Sequence, residues 1–176
     1  MKEERSLLEV LDTALQSYEV GEHIRSIAAR VREELVRRND ALMAWEPFPL
    51  RILQTSLPRE IRSAWVFVLR AGADTGAERH PNSHQRMMSF EGSGDMRTGE
   101  PGDWKSHPLV SDPDAALENR WISIPPNVWH CPVTAAADDW VVVSFHTVPA
   151  EELTEERPDE KNETGTRQMK YLKNKK

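Results

Sequence analysis

Three imidazole- or carboxylate-bearing side chains and one amide are spaced in this chain so that they can meet. Glu78 and His80 alternate along one strand-like run, Pro81-Asn82-Ser83 supplies a turn, and Gln85 opens the next run. Alternate residues on a strand share a face, so Glu78, His80 and Gln85 can be presented together across that turn. Far along the chain, Ile124-Pro125-Pro126-Asn127-Val128-Trp129-His130 delivers a further imidazole on strand-like sequence. Two imidazoles, a carboxylate and an amide oxygen form a candidate metal site.

These two segments resemble the two motifs of the cupin superfamily, small β-barrel proteins that hold a metal with two His and a Glu from a first motif and one His from a second. The pattern His-x-His, three or four residues, Glu, six residues, Gly falls on Glu78, His80, Gln85 and Gly92, with Pro81-Asn82-Ser83 similar to the turn often seen there. The pattern Pro-x-Gly-x-x-His falls on Pro125, Asn127 and His130. Asn in place of Gly at 127 is a mild change, because Asn tolerates positive φ in a turn. The other two departures alter the chemistry: the first His of the family is Glu78 here, and its Glu is Gln85. The resemblance spans roughly Ala64 to Val148. It implies an all-β, cupin-type double-stranded β-helix barrel and a divalent metal held by Glu78, His80, Gln85 and His130.

Glu78, His80 and His130 would make a two-His-one-carboxylate set of the kind that leaves positions open on non-haem Fe(II), with Gln85 a weak oxygen ligand or a partner of the ligands. Fe(II) is therefore the favoured metal and would support dioxygenase chemistry on a small organic molecule. Zn, Mn or Ni would support isomerisation or lyase chemistry instead. Two further readings stay open: a non-catalytic cupin that binds a small ligand, and a metal-free isomerase or epimerase-type barrel using His80 or His130 as acid or base. His84 adjoins Gln85 and faces the opposite way on a regular strand. Near a turn that alternation can fail, and the ligands would then be His80, His84 and His130.

If Gln85 faces inward, so do Met87 and Ser89, giving a partly apolar pocket, while Arg86, Met88 and Phe90 face outward. On the last strand Trp140, Val142, Ser144 and His146 share one face and Val141, Val143, Phe145 and Thr147 the other; the sequence does not say which is inside. His146 is either a pocket base or a hydrogen-bonded structural residue. Trp121 and Trp129 flank the second motif closely enough to line a ligand site. The expected substrate-contacting set is Met87, Ser89, Trp129 and His146.

The elements that must position these residues fall into three stretches. Residues 1–40 form an N-terminal helical extension, with Leu7, Leu8, Leu11, Ala14, Leu15 and Tyr18 on one stripe and Ile24, Ile27, Ala28, Val31 and Leu35 on another. Gly21 interrupts the pattern and divides or bends the helix, and the region ends near Arg38-Asn39-Asp40. Such stripes pack against the outside of the barrel or against a twin subunit. Residues 41–150 form the barrel, with strands expected at 51–57, 64–69, 85–90, 95–98, 121–124 and 140–148. Residues 99–119, broken by Pro101, Gly102, Pro108 and Pro113, read as a loop with a helical turn at Ala115-Ala116-Leu117. Residues 151–176 form a polar tail, with one helical turn over Glu151–Glu156 and a solvated or disordered end from Asp159, rich in Lys170, Lys173, Lys175 and Lys176.

The chain has 176 residues, a size suited to a single compact domain. A net charge of −6 gives no basic footprint for nucleic acid or for anionic membranes, so a small-molecule ligand is the expected partner. No apolar run reaches membrane-spanning length, and a charged start leads into amphipathic sequence, so a cytoplasmic protein is expected. Cys131 is the single cysteine, which excludes an intrachain disulfide. The amphipathic helices and sheet edges need cover, and a homodimer would supply it.

Overall fold

The computed structural model describes residues 2–53, 57–159 and 165–170. Helices α1 (Lys2–Leu15) and α2 (Tyr18–Arg37) open the chain. They part at Ser17, whose hydroxyl accepts from Val20 N at 3.3 Å, satisfying one of the orphan donors of a helix start. The break thus lies at a capping serine and not at Gly21, which sits buried inside α2. Then come β1 (Met43–Pro47), a 3-10 turn at Leu50–Leu53, β2 (Ser63–Leu69), β3 (Gln85–Glu91), β4 (Ser93–Glu100), β5 (Asp103–Lys105), β6 (Pro108–Val110), a short α3 (Leu117–Arg120), β7 (Trp121–Ile124), β8 (Trp129–Thr134), β9 (Trp140–His146), β10 (Thr154–Pro158) and β11 (Thr166–Lys170).

One sheet runs β1-β2-β9-β3-β7, entirely antiparallel; the other centres on β4, with β5 and β6 along one edge and β8 along the other. The segment 74–80 extends this second sheet. It bridges to β8 through Asp74↔Val133 and Glu78↔His130, and to β10 through Arg79↔Glu156. β10 pairs with β11 as a hairpin.

The first sheet is buried on both faces, so every residue of β2 and β9 is buried and the two strands are apolar apart from Ser63, Ser144 and His146. Its outer face, Ala64, Val66, Val68, Val141, Val143 and Phe145, meets Leu11, Leu15, Ile24, Ala28, Val31 and Leu35 of the helices. Its inner face, Trp65, Phe67, Leu69, Met87, Trp140 and Val142, meets Met96 and Leu109 of the second sheet. The N-terminal stripes therefore cover the outside of the barrel. Two polar clamps fix them there. Asp12 accepts from Arg120 and from Trp121 Nε1, the latter at 2.7 Å, and Glu4 accepts from Arg86 at 2.7 Å and from Ser123 at 2.6 Å.

Three stretches differ from expectation. The described part of 51–57 is the 3-10 turn and no strand, because Pro49 opens a turn in which Ile52 N donates back to its carbonyl. The stretch 99–119 holds β5 and β6, both recruited by the edge of β4; its helical turn begins at Leu117. Residues 151–156 do not form a helical turn. Leu153 is completely buried and Thr154 begins β10, so the region expected as a solvated tail returns as a hairpin. Lys173, Lys175 and Lys176 lie outside the described residues. Among those described, no helix is long and apolar enough to cross a membrane.

Candidate metal centre

Glu78 and His130 face each other across a reciprocal pair of backbone hydrogen bonds, each 2.8 Å, and His80 follows two residues after Glu78 on the same side. The turn that precedes His130 rests on Asn127, which adopts φ 65°, as the Gly-to-Asn exchange requires. Glu78, His80 and His130 are 6%, 4% and 1% exposed, and their donor atoms all lie within 4.8 Å of one another. Donors on one ion with bonds of about 2 Å sit about 3 to 4 Å apart, so the set could hold a divalent metal after small side-chain adjustments.

Each donor is oriented by a second contact. His130 Nδ1 lies 3.1 Å from Val128 O, and its Nε2, 3.5 Å from Glu78 Oε1, makes no normal-length hydrogen bond among the described residues. His80 Nδ1 donates to Thr154 O at 3.0 Å, which leaves Nε2 as the nitrogen that could face a metal. Arg157 Nη2 donates to Glu78 Oε2 at 2.6 Å. Burial raises the Glu78 pKa, but the contacts with His130 and Arg157 outweigh it and hold the carboxyl at about 2. Burial, then the neighbouring His130, pushes His80 down to about 4. Both groups are therefore deprotonated at neutral pH, the state a metal needs.

Gln85 joins the same interior. Its Nε2 donates to Ser144 Oγ at 3.0 Å, and the amide oxygen is buried with no hydrogen-bond partner among the described residues. Ser144 Oγ lies 3.1 Å from His146 Nε2, and His146 Nδ1 lies 3.2 Å from Ser83 Oγ, which donates to His84 O. Read in sequence, Gln85 donates to Ser144, Ser144 to His146 and His146 to Ser83. Gln85 and Glu78 both line a small cavity of about 20 Å³, whose walls include Met87, Met96, Trp140, Val142, Phe67 and Leu69. The inward face of β9 is thus the one carrying Trp140, Val142, Ser144 and His146.

The remaining sequence-derived candidates separate. Met87 lines the cavity. Ser89 is inside, but its hydroxyl accepts from Trp140 Nε1 at 2.8 Å and donates to Gly92 O. His146 touches the His80 ring edge-on at 5.0 Å, and both its nitrogens are committed to serines. His84 does not turn inward: its Nε2 donates to Ser123 Oγ at 2.7 Å on the outer face, beside Glu4. Regular alternation from Gln85 prevails there because Thr147 Oγ1 accepts from His84 N and fixes the strand entry. Trp129 is also on the face opposite His130, where the Arg79 guanidinium stacks on it at 4.5 Å. Cys131 likewise faces away; it donates to Asp74, and burial followed by that carboxylate pushes its thiol up to about 12.

The sequence reading missed β10. Thr154 orients His80, Arg157 binds Glu78, and Glu155, buried, accepts from Arg157 Nε at 2.6 Å. Burial and then the Glu78 charge push Glu155 up to about 7. The available signal was the Glu155–Arg157 spacing, two apart and so on one strand face, next to the apolar Leu153.

No family model matches the chain, and no curated protein matches it. Several solved structures are similar over part of it. CapF, a capsular polysaccharide assembling protein from Staphylococcus aureus, covers 61% of this chain and 29% of its own at 15% identity, with a TM-score of 0.47. Oxalate oxidase, solved with the substrate analogue glycolate, covers 61% of this chain and 52% of its own at 13% identity, TM-score 0.45. The coconut allergen cocosin covers 55% and 24% at 17% identity, TM-score 0.45. All three are cupin-fold proteins, and this chain spans about a quarter to about half of their lengths.

Proposed function

We propose that this protein is a metal-dependent cupin acting on a small organic molecule, with Glu78, His80 and His130 as ligands and the Gln85 oxygen as a fourth, weaker donor. The observation that carries this reading is a convergence of buried donor atoms. His130 Nε2 and Gln85 Oε1 are buried without hydrogen-bond partners among the described residues, beside the ionised Glu78, and unpaired buried polar atoms are costly unless an ion satisfies them. A bound divalent ion would supply Lewis acidity or, as Fe(II), the capacity to activate dioxygen. The two-His-one-carboxylate set makes Fe(II) and a dioxygenase our favoured form. In it Thr154 and Val128 fix the imidazole tautomers, Arg157 keeps Oε2 of Glu78 occupied so that Oε1 faces the histidines, and the apolar walls exclude water.

A second reading, a ligand-binding cupin without turnover, draws on the small volume left inside the barrel. Metal analysis by mass spectrometry on untagged protein purified without chelator tests the common premise. Near-stoichiometric metal in the parent chain, lost in His130→Ala, is expected. Equal metal content in the two would remove the proposed centre.

A further inference from the structure

Resting on the metal reading, we infer that the β10–β11 hairpin is the gate of the centre: the site opens to solvent when β10 peels from segment 74–80 about a hinge at Leu153, and the contacts that orient Glu78 and His80 form as it closes. The first ground is enclosure. Glu78, His80 and His130 are almost fully buried, and the cavity beside Glu78 measures about 20 Å³, room for a water-sized molecule and no more. A centre that takes up an ion and acts on an organic molecule has to open, and some element has to move for it to do so.

The layout of the strands says which. Segment 74–80 carries Glu78 and His80, and β10 is the strand outside it, joined by the bridge Arg79↔Glu156. Beyond β10 comes β11, where this side of the second sheet ends, and the first sheet ends at β1. Among the described residues β1 and the hairpin are not paired. Between them runs an open cleft of about 640 Å³, with Met43 and Trp45 on one wall and Glu155, Arg157 and Met169 on the other. This cleft is an open seam of the barrel, and Arg157, which donates to Glu78 at 2.6 Å, stands between it and the centre. A second cleft, about 370 Å³, parts the far end of the hairpin, at Pro158 and Arg167, from Thr75, Gly76 and Ala77. Peeling can start from that end.

The way the hairpin is held is the third ground. Across β10 and β11 only Glu155 is buried, so the two strands add little apolar area to the closed state, and a two-stranded ribbon has little stability of its own. What closes it is polar: the backbone bonds between Arg79 and Glu156 at 3.0 and 2.9 Å, their ion pair at 2.7 Å, Arg157 Nη1 to Thr75 O at 2.8 Å, and the contacts to Glu78 and His80. Each exchanges for water as the strand lifts. The root is held differently, because Leu153 is completely buried. Asn82 latches the first residues of the flap to it: its Nδ2 donates to Glu152 O at 2.8 Å and its Oδ1 accepts from Thr154 N at 3.1 Å. An apolar anchor followed by a polar strip is the build of a hinge and a flap.

A crosslink and a loosened latch test the gate in opposite directions. Arg79 and Glu156 form a hydrogen-bonded antiparallel pair, whose α-carbons lie about 5.5 Å apart, within the span of a disulfide. In a Cys131→Ser background, Arg79→Cys with Glu156→Cys should form that bridge. Cobalt(II) is mixed with the metal-free proteins and the rise in visible absorption is timed. The bridged form should load about tenfold more slowly than the same protein reduced and capped with iodoacetamide, and both should reach the same final absorbance. Asn82→Ala, which needs no crosslink, should load about threefold faster than the parent chain, again to the same end point. If the bridged form loads as fast as the capped one, or Asn82→Ala no faster than the parent, the gate is overturned and the centre stands. Absence of any cobalt absorption in the parent chain overturns the metal reading, and the gate falls with it.

Discussion

At the scale of single residues, the centre is defined by protons that are absent. His80 is held at about 4 in the folded chain, against an ordinary 6.5, by burial and by its neighbour His130. An unfolded histidine therefore binds a proton between those values that the folded one refuses, so folding stability falls as pH drops through that window. The stability is fully present above about 6.5 and lost on approach to 4. At 1.36 kcal/mol per pKa unit, His80 alone contributes about 3 kcal/mol. His146, pushed down by burial and then by His80, acts in the same direction. Glu155, pushed up to about 7, acts in the opposite direction over much of the same window, so the His80 share is read as a difference: in urea denaturation of the metal-free proteins at pH 7 and pH 4.5, the parent should lose more stability, or gain less, on acidification than His80→Gln. A profile as steep in the variant as in the parent would remove His80 as its source.

At the scale of elements, the helices matter to the site without touching it. Asp12 on α1 binds Arg120 and Trp121 where α3 passes into β7, and β7 is the strand paired with β3, which begins at Gln85. Asp12→Ala would leave the Arg120 guanidinium buried and unpaired, a change that typically costs about 3–5 kcal/mol. Thermal unfolding should report a loss of that size, while metal stoichiometry in the surviving folded protein should stay unchanged. A loss under about 1 kcal/mol would mean that Arg120 finds water instead. This clamp also marks where sequence reading stops. The stripes through Leu11, Leu15, Ile24 and Val31 disclose that α1 and α2 are buried on one side, since periodicity encodes a face. Asp12 lies on the buried side too, and nothing local distinguishes it from a solvated acid; Arg120 and Trp121, which bury it, are more than a hundred residues away. The Gly21 expectation failed for a related reason: a serine N-cap decides a helix start more strongly than a glycine decides a break.

At the scale of the whole molecule, the motifs near His80 and His130 were legible because strand alternation and a tight turn fix their geometry over a few residues. The contribution of β10 was not, because Thr154-Glu155-Glu156-Arg157 has the composition of a solvated segment and becomes a strand only through long-range pairing with Arg79 and with β11. The proposed centre joins both kinds of information: donors from the legible motifs, held by a carbonyl and a guanidinium from the illegible strand. A metal there ties segment 74–80 to β8 directly and to β10 through Thr154 and Arg157, so its binding energy becomes folding energy for three parts of the barrel at once. At a free-metal concentration one hundred times the dissociation constant, the linkage is worth about 2.7 kcal/mol. For a chain of this size each kcal/mol moves the midpoint by about 2–4 °C, so calorimetry should show a rise of roughly 5–11 °C in the parent chain. Arg157→Gln should keep a rise of at least that size, starting from a lower metal-free midpoint, because the ion then replaces the charge that Glu78 has lost; His130→Ala should show none. A parent chain whose midpoint ignores metal, at concentrations where metal is demonstrably bound, would place the ion outside the barrel and away from Glu78.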